Sequence, residues 1–256
     1  MTLGFIGTGA LTSAIVTGLK SFGDDSTAVI VSPRNEEIAN ALAARFADVR
    51  IAADNQAVLD GAETIMLGVR PQIAHDVLTQ LRFRSDHKIV SLIATLSLEE
   101  IATLVAPAAQ ITKALPMPMI ALRQAATIVL PSDPATTAFF AKLGKVIEID
   151  DAREFDALSV VTATYATYFR ILDTIHGWLK KHGVPEARGR DYIVSIYKAL
   201  SNAPDTMPDA DFTHLSADYA TRGGINEQVL RDMTSHNAFD ILSAALDSVH
   251  KRIAGA

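Results

Sequence analysis

The first 150 residues alternate short apolar runs, rich in β-branched residues, with longer stretches in which apolar residues recur every three or four positions. The first pattern is typical of buried strands and the second of amphipathic helices. The predicted strands are Leu3–Ile6, Ala28–Val31, Thr64–Val69, Lys88–Ile93, Gln110–Leu115, Thr127–Leu130 and Val146–Ile149. The predicted helices are Leu11–Ser21, Glu36–Phe46, Pro71–Leu81, Leu98–Val105 and Ala135–Leu143. This alternation predicts a doubly wound α/β domain with a mostly parallel sheet.

Strand-like runs stop after Asp150, and long helical patterns follow. The turn residues Gly183-Val184-Pro185 divide the first two of these patterns. The second half is predicted to contain the helices Phe155–Lys181, Glu186–Ser201 and Asn237–Ile253, with a loop over Asn202–Asp211. We therefore expect two domains, an α/β domain over residues 1–150 and an all-helical domain over residues 151–256.

Composition narrows the function classes. Apolar residues make up 49% of the 256 residues, enough for a substantial core, and the net charge of −6 disfavours a nucleic-acid partner. The chain has no cysteine, which excludes disulfides and a cysteine nucleophile, and its seven histidines lack metal-ligand spacing. It opens without a signal-peptide pattern, and apolar runs such as Thr64–Val69 are too short to cross a bilayer. We expect a cytoplasmic protein with no membrane partner and no metal.

A glycine pair follows the first predicted strand, directly before an apolar helix. Gly7 permits a tight turn, and Gly9 lets the backbone approach a pyrophosphate at the helix N-terminus. Thr12 stands where the dinucleotide fingerprint has its third glycine. A ligand-free turn is the alternative for a lone glycine pair, but its place in a βαβ series favours a Rossmann-type cofactor site. The candidate cofactor contacts in this turn are Gly7, Thr8, Gly9, Ala10 and Leu11.

The end of the second predicted strand suggests which dinucleotide binds. Proteins that prefer NAD usually carry an acidic residue here for the ribose 2′-hydroxyl, whereas Ser32 and Arg34 suit a 2′-phosphate. We predict NADP as the cofactor, with NAD left open, since Arg34 is also compatible with a solvated arginine at a helix start. Ligands bind outside the carboxyl ends of strands in such sheets. The further candidate contacts are Asn55, Val69, Arg70, Pro71 and Ala94, and Arg70 is equally compatible with a surface cation.

At these positions the chain resembles the pyrroline-5-carboxylate reductase family. The resemblance is carried by motifs that keep their order over almost the whole chain, each similar to one of the family. These motifs are Gly4-Phe5-Ile6-Gly7-Thr8-Gly9, Val69-Arg70-Pro71, Ala94-Thr95, Phe155-Asp156-Ala157-Leu158-Ser159, Gly183-Val184-Pro185 and Thr221-Arg222-Gly223-Gly224-Ile225-Asn226. The chain departs from the family at Leu115-Pro116-Met117, at Ala163-Thr164-Tyr165-Ala166, where the family has Gly-Ser-Gly-Pro, and at Asn226, where it has threonine.

The resemblance implies hydride transfer from NADPH to the C=N carbon of 1-pyrroline-5-carboxylate, which gives L-proline. It implies that the Gly223 and Gly224 amides bind the substrate carboxylate together with the Thr221 hydroxyl, and that Asn226 faces the imine nitrogen. The residues alone would favour a turn between helices for this glycine pair. Thr221 and Asn226 are thus the candidate catalytic residues. The substrate cleft is expected between the carboxyl ends of the strands and Thr221–Asn226. The family also implies a homodimer formed through the helical domain.

Other functions stay open on the sequence alone. The alternative within enzymes is a protein of this type that acts on another small imine or on a β-hydroxy acid, and the enzymes for β-hydroxy acids depend on a lysine in the helical domain. Lys180, Lys181 and Lys198 are available, but none lies in a motif of that kind. A regulatory protein that binds NADP without turnover is the alternative from outside the enzymes.

Overall fold

The computed structural model describes residues 2–23, 25–209 and 211–255. The chain divides into two compact units, Met1–Ser159 and Val160–Ala256. The division falls within a helix, Ala152–Val161, whose start lies close to the predicted boundary at residue 150. Among the described residues, no helix is both long and apolar enough to span a membrane.

The first unit is built on an eight-stranded sheet with the order β3-β2-β1-β4-β5-β6-β7-β8. Neighbouring strands are parallel except for β6 and β7, which are antiparallel. The chain winds to one side of β1 and then returns to its other side with β4, so the switch in strand order lies between these two strands. The strands are β1 (Thr2–Ile6), β2 (Ala28–Val31), β3 (Val49–Ile51), β4 (Thr64–Leu67), β5 (Lys88–Ser91), β6 (Gln110–Leu115), β7 (Thr127–Leu130) and β8 (Val146–Glu148).

Helices cover both faces of this sheet and bury its apolar residues in two main clusters. One cluster includes Leu3, Ile15 and Phe140, and the other includes Ile65 and Val105. The central strands are buried on both faces, as expected for a parallel sheet with helices on either side. The helices of this region are α1 (Ala10–Lys20), α2 (Glu36–Arg45), α3 (Asn55–Gly61), α4 (Pro71–Leu78), α5 (Leu98–Val105), α6 (Pro134–Ala141) and α7 (Ala152–Val161).

The predicted α/β fold is confirmed, with corrections to individual elements. Strand β3 and helix α3 were not predicted, because three residues are too few to show alternation and seven too few to show helical periodicity. Strand β4 ends at Leu67, before the predicted Val69, since the chain turns there toward α4. The spacing of Ser97 and Glu100 in the sequence predicts a capping box at the start of α5, and both of its reciprocal hydrogen bonds are present.

The second unit is helical throughout its regular structure, as predicted. Its helices are α8 (Tyr165–Lys181), α9 (Glu186–Thr206), α10 (Phe212–Tyr219), α11 (Ile225–Ser235) and α12 (Ala238–Ile253). The single helix predicted over Phe155–Lys181 is wrong, because a 3₁₀ segment at Thr162–Thr164 separates α7 from α8. Residues 160–162 are three successive β-branched residues, which lowers the helix propensity at this point. The Thr164 hydroxyl also donates to the Val161 carbonyl at 2.7 Å, in competition with the backbone hydrogen bonds of a helix.

The predicted loop at residue 202 begins too early, since α9 continues to Thr206. Pro204 lies in its last turn, where a helix tolerates the residue better than at its centre. Helices α8, α11 and α12 bury no residue fully. The unit therefore leaves many large apolar side chains in contact with solvent, among them Phe169, Trp178, Tyr192, Phe212, Ile225, Val229 and Ile241.

Candidate functional site

The turn between β1 and α1 has the backbone that a bound phosphate requires. Gly7 has a φ of +103°, and a Cβ there would lie 2.6 Å from the Gly68 carbonyl carbon, so this position needs glycine. A Cβ on Gly9 would meet nothing within 4 Å, so packing does not require glycine there. Helix α1 has no side-chain cap and no acidic residue in its first turn. Its first N–H groups can therefore receive an anion.

Thr12 replaces the third glycine of the fingerprint without disturbing the turn. Its side chain is buried, and its hydroxyl donates to the Gly7 carbonyl at 2.6 Å. The space for it exists because position 68 is glycine, where a Cβ would lie 3.1 Å from the Thr12 oxygen. The incomplete fingerprint is thus compensated by Gly68, at the end of β4.

Ser32 and Thr8 connect this turn to the end of β2. The Gly7 N–H donates to the Ser32 hydroxyl at 2.9 Å, and the Thr8 hydroxyl donates to the Ser32 carbonyl at 2.6 Å. The two hydroxyl oxygens lie 3.0 Å apart, and both side chains are buried. Because the Thr8 proton goes to the carbonyl, the Ser32 hydroxyl donates to Thr8. In this arrangement Ser32 positions the glycine turn, and its own proton is already used.

A cleft of about 640 Å³ lies at the carboxyl ends of β1, β2 and β4. Its lining combines the glycine turn with the predicted Arg34, Val69 and Arg70, and Arg34 and Arg70 are exposed. A second cavity of about 510 Å³ shares Arg34 and Ile73 with it and includes Asn55. The predicted contacts Ala10, Leu11, Pro71 and Ala94 are not among the residues that line either cavity.

Glu36 also lines the cleft, and the sequence reading missed it. It begins α2, two residues after Arg34, and it is exposed. Its position in the first turn of a helix was a visible signal, because acidic residues favour that place. Because Glu36 and Arg34 line the same cleft, the negative charge of Glu36 would oppose the attraction between Arg34 and a 2′-phosphate.

A buried lysine anchors the segment that contains Ala94. Lys113 of β6 donates to the Ala94 carbonyl at 3.1 Å, and its ammonium lies 4.3 Å from the centre of the Phe155 ring. Burial lowers the pKa of Lys113, and the opposing influence of Asp156 and Glu100 does not restore it. Lys113 thus fixes the turn between β5 and α5, where a family motif was recognised.

In the second unit, the amides of the predicted carboxylate receptor already have acceptors. Gly223 has a φ of +75°, and its N–H donates to Oε2 of Glu227 at 2.6 Å. The Gly224 N–H donates to the Thr221 carbonyl at 2.8 Å. Thr221 and Asn226 are both exposed. Asn226 also lines a cavity of about 660 Å³ formed with α9 and α10.

Metal-site geometry is not found in the described part of the chain. No group of three or more His, Cys, Asp or Glu side chains there could hold a metal ion. The polar groups of the β1–α1 turn and of the segment 221–227 are amides, hydroxyls, arginines and single carboxylates. Such groups suit a phosphorylated or organic ligand.

Comparisons with known proteins bear on both units. Residues 2–95 match the family model described as NADP oxidoreductase, coenzyme F420-dependent. A pyrroline-5-carboxylate reductase of Haemophilus influenzae is 24% identical over 240 residues, which cover 89% of this chain and 87% of that protein.

Solved structures show the same fold. The structure of 1-pyrroline-5-carboxylate reductase from Streptococcus pyogenes matches with a TM-score of 0.86 at 21% identity, covering 100% of this chain and 99% of that one. The Plasmodium falciparum pyrroline carboxylate reductase with NADP bound matches with a TM-score of 0.85 at 16% identity, covering 99% and 97%. A reductive aminase from Aspergillus terreus, in complex with NADPH4, cyclohexanone and allyl amine, matches with a TM-score of 0.62 at 19% identity, covering 87% and 77%.

Proposed function

We propose that this chain, a divergent member of the pyrroline-5-carboxylate reductase family, uses NADPH to reduce the C=N bond of a small cyclic imine. The observation that carries the proposal is the cleft at the switch in strand order. There an uncapped helix N-terminus, a glycine turn and Arg34 lie together. Ligands of doubly wound sheets bind at this place.

The residues of the cleft fit a phosphorylated dinucleotide. The first N–H groups of α1 would hold the pyrophosphate, while Arg34 would pair with the 2′-phosphate that distinguishes NADP from NAD. Ser32 and Thr8 hold the turn in shape, and Lys113 holds the segment around Ala94. When bound, the reduced nicotinamide supplies a hydride, so the protein needs no metal or covalent nucleophile for this step.

The chain's own contribution to the chemistry is binding and orientation. A protonated imine is already an electrophile, and the protein mainly has to hold donor and acceptor carbons about 3–3.5 Å apart. We assign the polar contacts with the imine to Asn226, whose amide offers both a donor and an acceptor, and to the Thr221 hydroxyl. The names of the curated relatives make 1-pyrroline-5-carboxylate the first imine to test, with L-proline as the product of its reduction.

We also propose that the protein is a homodimer formed through the second unit. The support is the apolar surface that its helices leave exposed, where Phe212 and Ile225 are 80% and 82% accessible. Large apolar side chains exposed in this number are typical of an interaction surface in soluble proteins. The family resemblance implies that a second copy of this chain binds to this apolar surface.

The test is steady-state oxidation of NADPH with a panel of cyclic imines, with and without the 5-carboxylate. We expect NADPH consumption that depends on the imine and yields the corresponding amine. Tight binding of NADPH without oxidation by any imine would instead favour a regulatory protein. The absence of NADPH binding would remove the proposal altogether.

A further inference from the structure

The glycine pair at the start of α11 was expected to hold the carboxylate of a substrate, but the chain fills that place itself. Oε2 of Glu227 accepts the Gly223 N–H at 2.6 Å, which is short for a bond between an amide and a carboxylate. The Gly224 N–H is bonded to the Thr221 carbonyl. Both amides of the pair therefore have acceptors within the chain.

Glu227 is the acidic residue in the first turn of α11, and Gly224, the residue before that helix, provides no side-chain cap. A helix N-terminus favours one negative charge, and Glu227 provides it. A substrate carboxylate bound to the neighbouring N–H groups of Ile225 or Asn226 would lie beside this charge. Like charges at such a distance repel each other, which disfavours a second carboxylate there.

The surroundings of Asn226 point in the same direction. The cavity that Asn226 lines is otherwise formed mainly by apolar side chains of α9 and α10, such as Leu200, Phe212 and Leu215. Among the described residues that line it, there is no lysine or arginine to pair with a carboxylate. Arg222 is the nearest cation in sequence, but it is exposed and does not line this cavity.

From this geometry we infer that the preferred imine has no carboxylate, and that Glu227 supplies internally the negative charge that the glycine turn binds. The inference rests on the proposed imine reduction and narrows its substrate class to carboxylate-free imines. The reductive aminase with a similar fold was solved with cyclohexanone and allyl amine, neither of which carries a carboxylate. Glu227 is thus assigned as a specificity-determining residue.

The first experiment compares 1-pyrroline with 1-pyrroline-5-carboxylate, two imines that differ only in the carboxylate. We expect the kcat/KM of the parent protein to be at least about tenfold higher for 1-pyrroline, the ratio that one unfavourable charge contact produces. Glu227→Ala should reduce that ratio about tenfold, because it removes the charge and frees the Gly223 N–H. Glu227→Gln keeps an acceptor for the Gly223 N–H but removes the charge, so it should shift the ratio less, in the same direction.

Asp232→Ala provides the matched control, because Asp232 lies on the same helix with its carboxylate 3.7 Å from Arg231. It should leave the ratio unchanged. A parent protein that prefers 1-pyrroline-5-carboxylate, or a ratio that Glu227→Ala does not alter, would overturn the inference.

A binding readout separates this inference from the proposed function. The amide signal of Gly223, followed by NMR, should not respond to L-proline in the parent protein and should respond in Glu227→Ala. Pyrrolidine, which lacks the carboxylate, should leave this signal unchanged in both. If no cyclic imine of the panel is reduced, the proposed function fails, and the Gly223 signal still decides whether Glu227 fills the turn. A parent signal that shifts with L-proline as it does in the alanine variant would refute the inference.

Discussion

Replacing Thr12 with valine tests whether its hydroxyl holds the cofactor turn. The substitution keeps the shape of the side chain and removes only the donor that reaches the Gly7 carbonyl at 2.6 Å. Thr12 is 1% exposed, so water cannot take the place of the hydroxyl without rearrangement. Removing one partner of such a bond costs about 1–3 kcal/mol. We expect the loss in the free energy of unfolding to lie toward the lower end of this range, since Gly7 is half-buried.

Thr103→Val is the matched control. The Thr103 hydroxyl also donates to a backbone carbonyl, that of Glu99, at 3.0 Å, but both groups are exposed on α5. Its loss should change the free energy of unfolding by less than about 0.5 kcal/mol. Urea unfolding measures both values, and NADPH titration measures the consequence for the turn, where only Thr12→Val should weaken binding. Equal effects of the two substitutions on stability and on binding would refute the role assigned to Thr12.

Four further outcomes are expected. Arg34→Ala should weaken NADPH binding about 10- to 100-fold, because it removes a charged contact, and should leave NADH binding nearly unchanged. Arg45→Ala, away from the cleft, should affect the binding of neither cofactor. An equal loss of affinity for both cofactors, measured by calorimetry, would refute the assignment of Arg34. Burial raises the pKa of Asp25, but hydrogen bonds from Lys142 and Thr27 outweigh it and hold that pKa at about 2. Because the pKa of Asp25 is lowered in the folded state, this carboxylate stabilises the protein at pH values above the unfolded pKa of 3.8. The difference in unfolding free energy between the parent and Asp25→Asn should therefore shrink as pH falls from 3.8 toward 2. A difference that stays constant over this range would contradict the assignment. Thr221→Ala should raise the apparent substrate constant with NADPH affinity unchanged, and identical kinetics would place substrate elsewhere. Light scattering should show a dimer that loses activity on dilution to monomer, and a fully active monomer would overturn that proposal.

The sequence predicted most of the α/β fold because its local signals are strong. Apolar runs of four or more residues marked the central strands, and the spacing of Ser97 and Glu100 marked the start of α5. Strand β3 could not be predicted, because three residues are too few to show the alternation of a strand. The end of the helix at Val161 depended on β-branched residues and on one hydroxyl bond, which overrode a helical pattern.

The candidate site was predicted less completely, because its details depend on pairs of residues that are distant in sequence. In the sequence Thr12 only interrupts the glycine fingerprint, and the structure shows that Gly68 leaves the space for its side chain. Ser32 was expected to face the cofactor, and its burial beside Thr8 follows only from the approach of two strands. Glu227 was not predicted, although it lies three positions beyond Gly224, the spacing at which a glutamate reaches back toward the start of a helix.

Isotope transfer tests the central claim most directly. NADPH that carries deuterium at the transferable position of its nicotinamide is incubated with the protein and a cyclic imine, and the amine is analysed by mass spectrometry. The account predicts one deuterium on the former C=N carbon, formed with the parent protein and strongly reduced with Arg34→Ala at limiting NADPH. NADPH that binds in the cleft yet delivers no deuterium to any imine would contradict the claim that this protein is an imine reductase.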